Sequence, residues 1–150
     1  MRISLLLCLM TLLSKYSFGQ IIDYNLDNGY GAQGYDVVAY FNDKATAGKT
    51  LYQISYKGVQ YKFLNLQNLN TFKGNPSRFE PQYGGWCAYA MGTKGKKVSI
   101  NPKTFEIRSG KLYLFYNSWG TNTLKSWKEQ NPEVLKNKAI MAWEKIKHIK

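Results

Sequence analysis

Near the middle of the chain lies the stretch Pro81-Gln82-Tyr83-Gly84-Gly85-Trp86-Cys87-Ala88-Tyr89-Ala90-Met91. Its two adjacent glycines allow a tight turn or a close approach of the backbone to a ligand. Its aromatic residues surround one small thiol, a composition that fits either the wall of a pocket or a folding core. The stretch therefore indicates where a site would lie, but it does not name a reaction.

Residues 1–19 have the order of a secretory signal, with basic Arg2, an apolar run at residues 3–13, and small residues Ser17 and Gly19 before the cut. We expect cleavage after Gly19 and a periplasmic or secreted location. The apolar run has about half the length that a membrane-spanning helix needs, so a membrane anchor is the weaker interpretation. No transmembrane segment is expected after the signal is removed.

Cleavage would leave Cys87 as the one cysteine, because Cys8 belongs to the signal. A single cysteine cannot form an internal disulfide, so in an oxidising compartment it is buried, reactive or paired between molecules. Burial is the favoured interpretation. Only one histidine, His148, is present to act with this thiol.

The chain is strongly basic, with 21 Lys and Arg, 9 Asp and Glu, and a formal charge of +12. Cleavage removes Arg2 and Lys15 but no acid, which leaves 19 − 9 = +10. The lysines are scattered along the chain, a distribution typical of a solvated surface, and an anionic partner is the alternative. A nucleic-acid partner is not expected, because the chain carries no recognised motif and is predicted to be exported.

Two hairpins are predicted, each with its apolar residues on one face. The first turns at Lys57-Gly58 and pairs Tyr56 with Val59, Ile54 with Tyr61 and Tyr52 with Phe63. The second turns at Ser109-Gly110 and pairs Ile107 with Leu112 and Phe105 with Leu114. These hairpins predict an antiparallel sheet.

Helices are predicted around the hairpins. Asn65 caps a short helix that runs to about residue 73, and Leu124 and Trp127 indicate another. Asn131 and Pro132 begin an amphipathic C-terminal helix whose apolar stripe we expect to face the core. Residues 92–97 are expected to form a loop.

The fold class is therefore α+β, a small antiparallel sheet of two hairpins with short helices and a C-terminal amphipathic helix. Residues 20–33 are polar and lack a sustained period, which predicts a flexible lead. Residues 34–118 form the predicted domain, and residues 119–150 form a helical extension packed on it.

Several motifs resemble the YHS-domain family, and its exported bacterial branch in particular. They are Gly34-Tyr35-Asp36-Val37-Val38-Ala39-Tyr40-Phe41, Tyr61-Lys62-Phe63, Phe72, Asn75-Pro76 with Phe79, and the stretch at residues 81–90. The resemblance covers residues 34–117. Metal-associated members of the family imply heavy-metal binding, a role that depends on additional cysteines.

This sequence departs from those members at the cysteine positions. It has Leu64 and Asn68 where they have two of the cysteines, and Asp36 and Val37 in the segment that carries another. A stable soft-metal site usually needs three or four thiolate or imidazole ligands. We therefore expect no complete metal site, and Cys87 is the one plausible thiolate ligand. The sequence does not identify a cofactor.

Catalysis is not favoured by the residues present. A cysteine nucleophile needs a base, and His148 lies near the chain end. Cys87 has no partner at the spacing of a redox motif. Asp36 and Glu80 do not form a convincing pair for acid–base chemistry.

The candidate ligand-binding residues combine aromatic rings with a few polar groups, the usual composition of a ligand site. They are Asp36, Tyr40, Tyr83, Trp86, Cys87 and Tyr89. The alternative is that the aromatic residues are simply core and that Asp36 caps a turn. The sequence thus favours a noncatalytic module that binds a small ligand or a metal at residues 83–90. A thiol-dependent redox or stress protein, or a structural domain that docks on an anionic partner, is the alternative.

Overall fold

The computed structural model describes residues 21–150, so the predicted signal and its cleavage point lie outside the described residues. Within this range the chain forms helices and small, mainly antiparallel sheets. The strands are β1 Leu26–Asp27, β2 Tyr30–Gly31, β3 Lys49–Tyr56, β4 Val59–Phe63, β5 Asn101–Arg108, β6 Lys111–Phe115, β7 Asn117–Ser118 and β8 Thr121–Asn122. The helices are α1 Leu66–Gly74, α2 Pro76–Phe79, α3 Ala88–Lys94, α4 Thr123–Glu129 and α5 Pro132–Ile146.

The two predicted hairpins lie in separate sheets, so the expectation of one antiparallel sheet is wrong. The first hairpin, β3–β4, belongs to a four-stranded sheet of order β1-β2-β4-β3, while β5–β6 and β7–β8 each form a two-stranded sheet. β2 runs parallel to β4, with Tyr30 opposite Gln60. Because β2 occupies this edge of β4, the second hairpin cannot pair there. It meets the first hairpin through side chains, with Leu112 and Leu114 in the same core cluster as Val59.

Both predicted hairpin turns are confirmed. Lys57 and Gly58 have φ values of 50° and 79°, and Ser109 and Gly110 have φ values of 50° and 70°. Two successive left-handed residues are the geometry that matches the twist of the flanking strands. Arg108, at the end of β5, forms an ion pair with Glu106 at 3.0 Å.

The predicted strand registers are correct except at one pair. Tyr56 lies opposite Val59 and Ile54 opposite Tyr61, as expected. Phe63, however, lies opposite Lys49 instead of Tyr52, because an irregularity between Lys49 and Gln53 shifts the register. The second hairpin has both predicted pairs, with Ile107 opposite Leu112 and Phe105 opposite Leu114, and its register shifts only before Phe105.

The predicted helix caps are also confirmed. Asn65 Oδ1 accepts a hydrogen bond from Asn68 N at 2.8 Å, and Asn131 Oδ1 accepts one from Val134 N at 3.4 Å. Leu135 and Ala139 of α5 are buried, so the apolar stripe faces the core as predicted. These caps satisfy backbone donors that would otherwise be unpaired in the first turn of each helix.

Helix α3 is a correction to the loop expected at residues 92–97, because it continues through Gly92 to Lys94. Glycine is unfavourable inside an isolated helix. Here its missing side chain allows α3 to approach α5, since a Cβ atom at Gly92 would lie 2.6 Å from the Leu135 carbonyl oxygen. Tertiary packing therefore outweighs the local preference.

The described part of the lead, residues 21–33, carries more secondary structure than its sequence pattern indicates. It contains β1 and β2, and the amide of Asp23 donates to the Lys147 carbonyl at 2.7 Å. Asp23 also forms an ion pair with Lys97 at 2.8 Å. These contacts connect the segment to the residues that follow α3 and α5.

The central stretch joins two clusters of buried side chains. Cys87 packs in the first cluster with Tyr40 and residues of both hairpins. Tyr83 and Met91 pack in the second cluster, around Trp127 of α4. The stretch that the sequence singles out thus lies between the two halves of the core, not on a surface loop.

Candidate ligand groove at the glycine bend

Residues 83–85, here called the glycine bend, turn the chain sharply before α3. Tyr83, Gly84 and Gly85 are all left-handed, with φ values of 55°, 61° and 83°. For a bulky residue such as Tyr83 this conformation costs about 1–2 kcal/mol. The surroundings hold it in place, because the Tyr83 ring is buried and its hydroxyl donates to the Lys136 carbonyl at 3.3 Å. Burial, and then the neighbouring Tyr113, raise the pKa of Tyr83, so this hydroxyl stays protonated.

The bend lies directly against α5 and the N-terminal segment. A Cβ atom at Gly84 would lie 2.7 Å from Cη2 of Trp143, so any larger residue would force the Trp143 ring or the backbone to shift. The carbonyl of Gly84 accepts a hydrogen bond from Asn25 N at 2.9 Å, and that of Gly85 accepts one from Asn25 Nδ2 at 3.0 Å. The backbone of the bend is therefore fixed by contacts on two sides.

An open groove of about 370 Å³, here called the bend groove, lies beside the glycine bend. Five segments form it: residues 22–24 of the N-terminal lead, the β3–β4 turn, the segment from α2 to the bend, the start of β6, and α5. Its lining comprises Ile22, Tyr24, Lys57, Ser77, Glu80, Pro81, Gln82, Tyr83, Gly84, Lys111, Ile140, Trp143 and Glu144. Groups from distant parts of the sequence thus converge on one surface.

The bend groove carries charges of both signs next to aromatic rings. Lys57 Nζ lies 3.2 Å from Glu80 Oε2. Burial, and then the Glu80 carboxylate, raise the pKa of Tyr24, which keeps its hydroxyl available as a donor. Lys111 adds a further cation to the lining. The rings of Tyr24 and Trp143 supply apolar surface, so the groove can contact both parts of an amphipathic molecule.

Cys87 is fully buried, as the sequence predicted. The Thr123 hydroxyl donates to the Tyr116 carbonyl at 2.7 Å, so its single hydrogen is already used. The Cys87 thiol therefore donates to Thr123 Oγ1 across 3.4 Å and accepts from Tyr116 N at 3.3 Å. These contacts tie α3 to both ends of the β7–β8 hairpin and give the thiol a structural role.

Asp36 is also fully buried, and four N–H donors surround its carboxylate. Oδ1 accepts from the amides of Val38 and Ala39 at 2.9 and 3.1 Å. Oδ2 accepts from Leu64 N at 2.8 Å and from Asn68 Nδ2 at 2.7 Å. The turn-capping interpretation is confirmed, and the same carboxylate connects this turn to the start of α1.

The other predicted site residues make separate contacts. The Tyr40 hydroxyl donates to the Pro102 carbonyl at 2.6 Å, and burial raises its pKa well above the usual range. Trp86 Nε1 donates to the Asp23 carbonyl at 2.8 Å. The Tyr89 hydroxyl accepts from Gln130 Nε2 at 2.9 Å. Of the six predicted residues, Tyr83 lines the bend groove.

Sequence reasoning missed several residues of the bend groove. Trp143 lies in the predicted amphipathic C-terminal helix, where an aromatic residue indicates only the apolar stripe, and Tyr24 lies in a segment with no sustained period. Lys57 is part of the predicted first turn, and Lys111 follows the predicted second turn, so the sequence gives neither of them a place in a site. Their convergence depends on the path of the chain, so no local signal in the sequence identifies it.

Within residues 21–150, no group of three or more His, Cys, Asp or Glu side chains is placed to hold a metal ion. No helix in this part of the chain is long and apolar enough to cross a membrane. No family model, curated protein or solved structure matches the chain.

Proposed function

We propose that the chain is an exported, noncatalytic binding module that holds a small ligand in the bend groove. The observation that carries this proposal is the left-handed conformation of Tyr83 next to the contact between Gly84 and Trp143. Strained backbone persists where the surroundings enforce it, and such positions cluster at functional sites. The groove volume of about 370 Å³ falls in the range of ligand sites.

The lining of the bend groove favours a small amphipathic ligand. An apolar body would pack between the rings of Tyr24 and Trp143, which lie in the same groove as Ile140. A polar end would meet Lys111 or the paired charges of Lys57 and Glu80. This division of apolar walls and a few polar groups fixes the orientation of a ligand.

A thiol-dependent redox function receives less support. A reactive cysteine needs partial exposure and an electropositive setting. Cys87 is fully buried, and its thiol donates to Thr123 Oγ1 and accepts from Tyr116 N. Glu80 and Glu144, the carboxylates of the bend groove, are each paired with a lysine and not with a second carboxylate.

We also propose that the chain is a member of the YHS-domain family whose metal ligands have been replaced. The positions where the resemblance places cysteines lie together, because Asp36 Oδ2 accepts from both Leu64 N and the Asn68 side chain. A carboxylate held by N–H donors occupies the place of a thiolate cluster.

Native mass spectrometry of protein purified from its own compartment tests the proposed function. The wild type is expected to carry a small-molecule mass. Gln82→Trp, which places a large ring in the groove, should lose that mass. The matched control Gln67→Trp, on the exposed face of α1, should keep it. A wild type without bound mass, or a mass retained equally by both variants, would contradict the proposal.

A further inference from the structure

The flank of α5 that faces away from the bend groove carries a second depression of about 380 Å³. Its rim includes Lys138 and Lys145, which lie two helical turns apart on the same face. Met141 lies between them with 60% of its surface exposed. The depression thus combines cationic side chains with an apolar centre.

Two further lysines are next in the sequence to a residue that lines this depression. Gly95 lines it and packs against α5, since a Cβ atom at Gly95 would lie 3.5 Å from Ala142 Cβ. Lys94 and Lys96 flank Gly95 in the sequence, and both are exposed. We call Lys94, Lys96, Lys138 and Lys145, with Met141 at their centre, the basic patch.

The charge of the basic patch is not neutralised by carboxylates of the described residues. None of its four lysines forms a salt bridge within residues 21–150. The acid next to Lys145 in the sequence, Glu144, pairs with Lys147 at 2.5 Å and lines the bend groove on the other flank of α5. The patch is therefore a local concentration of positive charge.

We propose that the basic patch docks on the surface of an anionic lipid bilayer. Lysines near a bilayer are attracted to anionic headgroups, and an exposed apolar side chain between them can enter the boundary with the acyl chains. A soluble polyanion would use the lysines but would gain nothing from Met141. The inward stripe of α5 stays in the core, because Leu135 and Ala139 remain buried. Only the Met141 side chain therefore enters the boundary with the acyl chains, and the folded core stays outside the bilayer.

Co-sedimentation with vesicles tests this proposal. The probes are vesicles of phosphatidylglycerol and phosphatidylcholine in equal parts and vesicles of phosphatidylcholine alone. Wild type should bind the first and not the second. Each lysine near the surface contributes roughly fivefold to affinity, so Lys138→Gln with Lys145→Gln should weaken binding about 30-fold. Met141→Ser should weaken it several-fold.

The control carries the same loss of charge elsewhere. Lys44→Gln with Lys73→Gln removes two exposed lysines that lie outside the patch and outside the described salt bridges. This variant should bind vesicles nearly as the wild type does, and the unfolding temperature of every variant should match the wild type. Equal losses in the two double variants would overturn the proposal, because diffuse charge would then explain binding. Two results together would assign the patch to a soluble polyanion instead. Met141→Ser would bind vesicles as the wild type does, and Lys138→Gln with Lys145→Gln would weaken binding of dextran sulfate.

Discussion

Replacing Gly84 with alanine tests the geometry of the glycine bend. The new Cβ atom would lie 2.7 Å from Cη2 and 3.0 Å from Cζ2 of Trp143. The left-handed backbone adds about 1–2 kcal/mol for a residue with a side chain. Overpacking of a well-filled site adds typically 1–3 kcal/mol. We therefore expect Gly84→Ala to lower the free energy of unfolding by about 2–5 kcal/mol.

Gly110→Ala provides the matched control. Gly110 has a φ of 70°, similar to the 61° of Gly84, but nothing lies within 4 Å of its added Cβ atom. This variant should show only the backbone effect, so the two variants should differ by about 1–3 kcal/mol in urea denaturation. Trp143→Phe removes Cη2 and Cζ2, the atoms that the new Cβ atom would meet. Combined with Gly84→Ala, it should therefore abolish the extra loss of stability that Gly84→Ala shows over Gly110→Ala. Equal destabilisation by Gly84→Ala and Gly110→Ala would refute the proposed close packing of the bend on α5.

Three further outcomes are expected. Asp36→Asn should lower the free energy of unfolding by about 3 kcal/mol or more. The new amide group would face Leu64 N and Asn68 Nδ2, which are donors and now bind Asp36 Oδ2. Calorimetry would measure the loss of stability, and an unchanged melting temperature would contradict the prediction. Cys87 should react with a thiol reagent only as fast as the chain unfolds, and rapid labelling of the native protein would argue against its structural role. Burial raises the pKa of Tyr40 and Tyr61 above the unfolded value near 10, so their contribution to stability is intact below that pH and is lost above it. The urea concentration at the unfolding midpoint should therefore be lower at pH 11 than at pH 8. Tyr61→Phe should make this decrease smaller, and an equal decrease in the variant and the wild type would contradict the assignment.

Local signals in the sequence predict the parts of the fold that local chemistry decides. Gly at the second turn position identifies both hairpins, because a type I′ turn requires left-handed residues. Asn65 and Asn131 identify helix starts, because their side chains accept from backbone amides. The lone Cys87 is expected to be buried, because a single cysteine in an oxidising compartment cannot form an internal disulfide, and the structure buries it fully.

Tertiary contacts decide the parts that the sequence does not predict. Gly92 has the local signal of a helix end, but its close packing against Leu135 of α5 keeps it inside α3. The register shift after Lys49 leaves Phe63 opposite Lys49 instead of Tyr52. The strand β2 is only two residues long and pairs with β4 from a distant part of the chain. The bend groove is assembled from five segments, so only the fold brings Tyr24 to Trp143.

The most direct test of the binding proposal is a crystal structure of protein isolated, without denaturation, from its own compartment. We expect electron density for a small molecule in the bend groove, in contact with Tyr24, Gln82 and Trp143. A groove filled only by ordered water, together with a ligand bound elsewhere on the protein, would contradict the account.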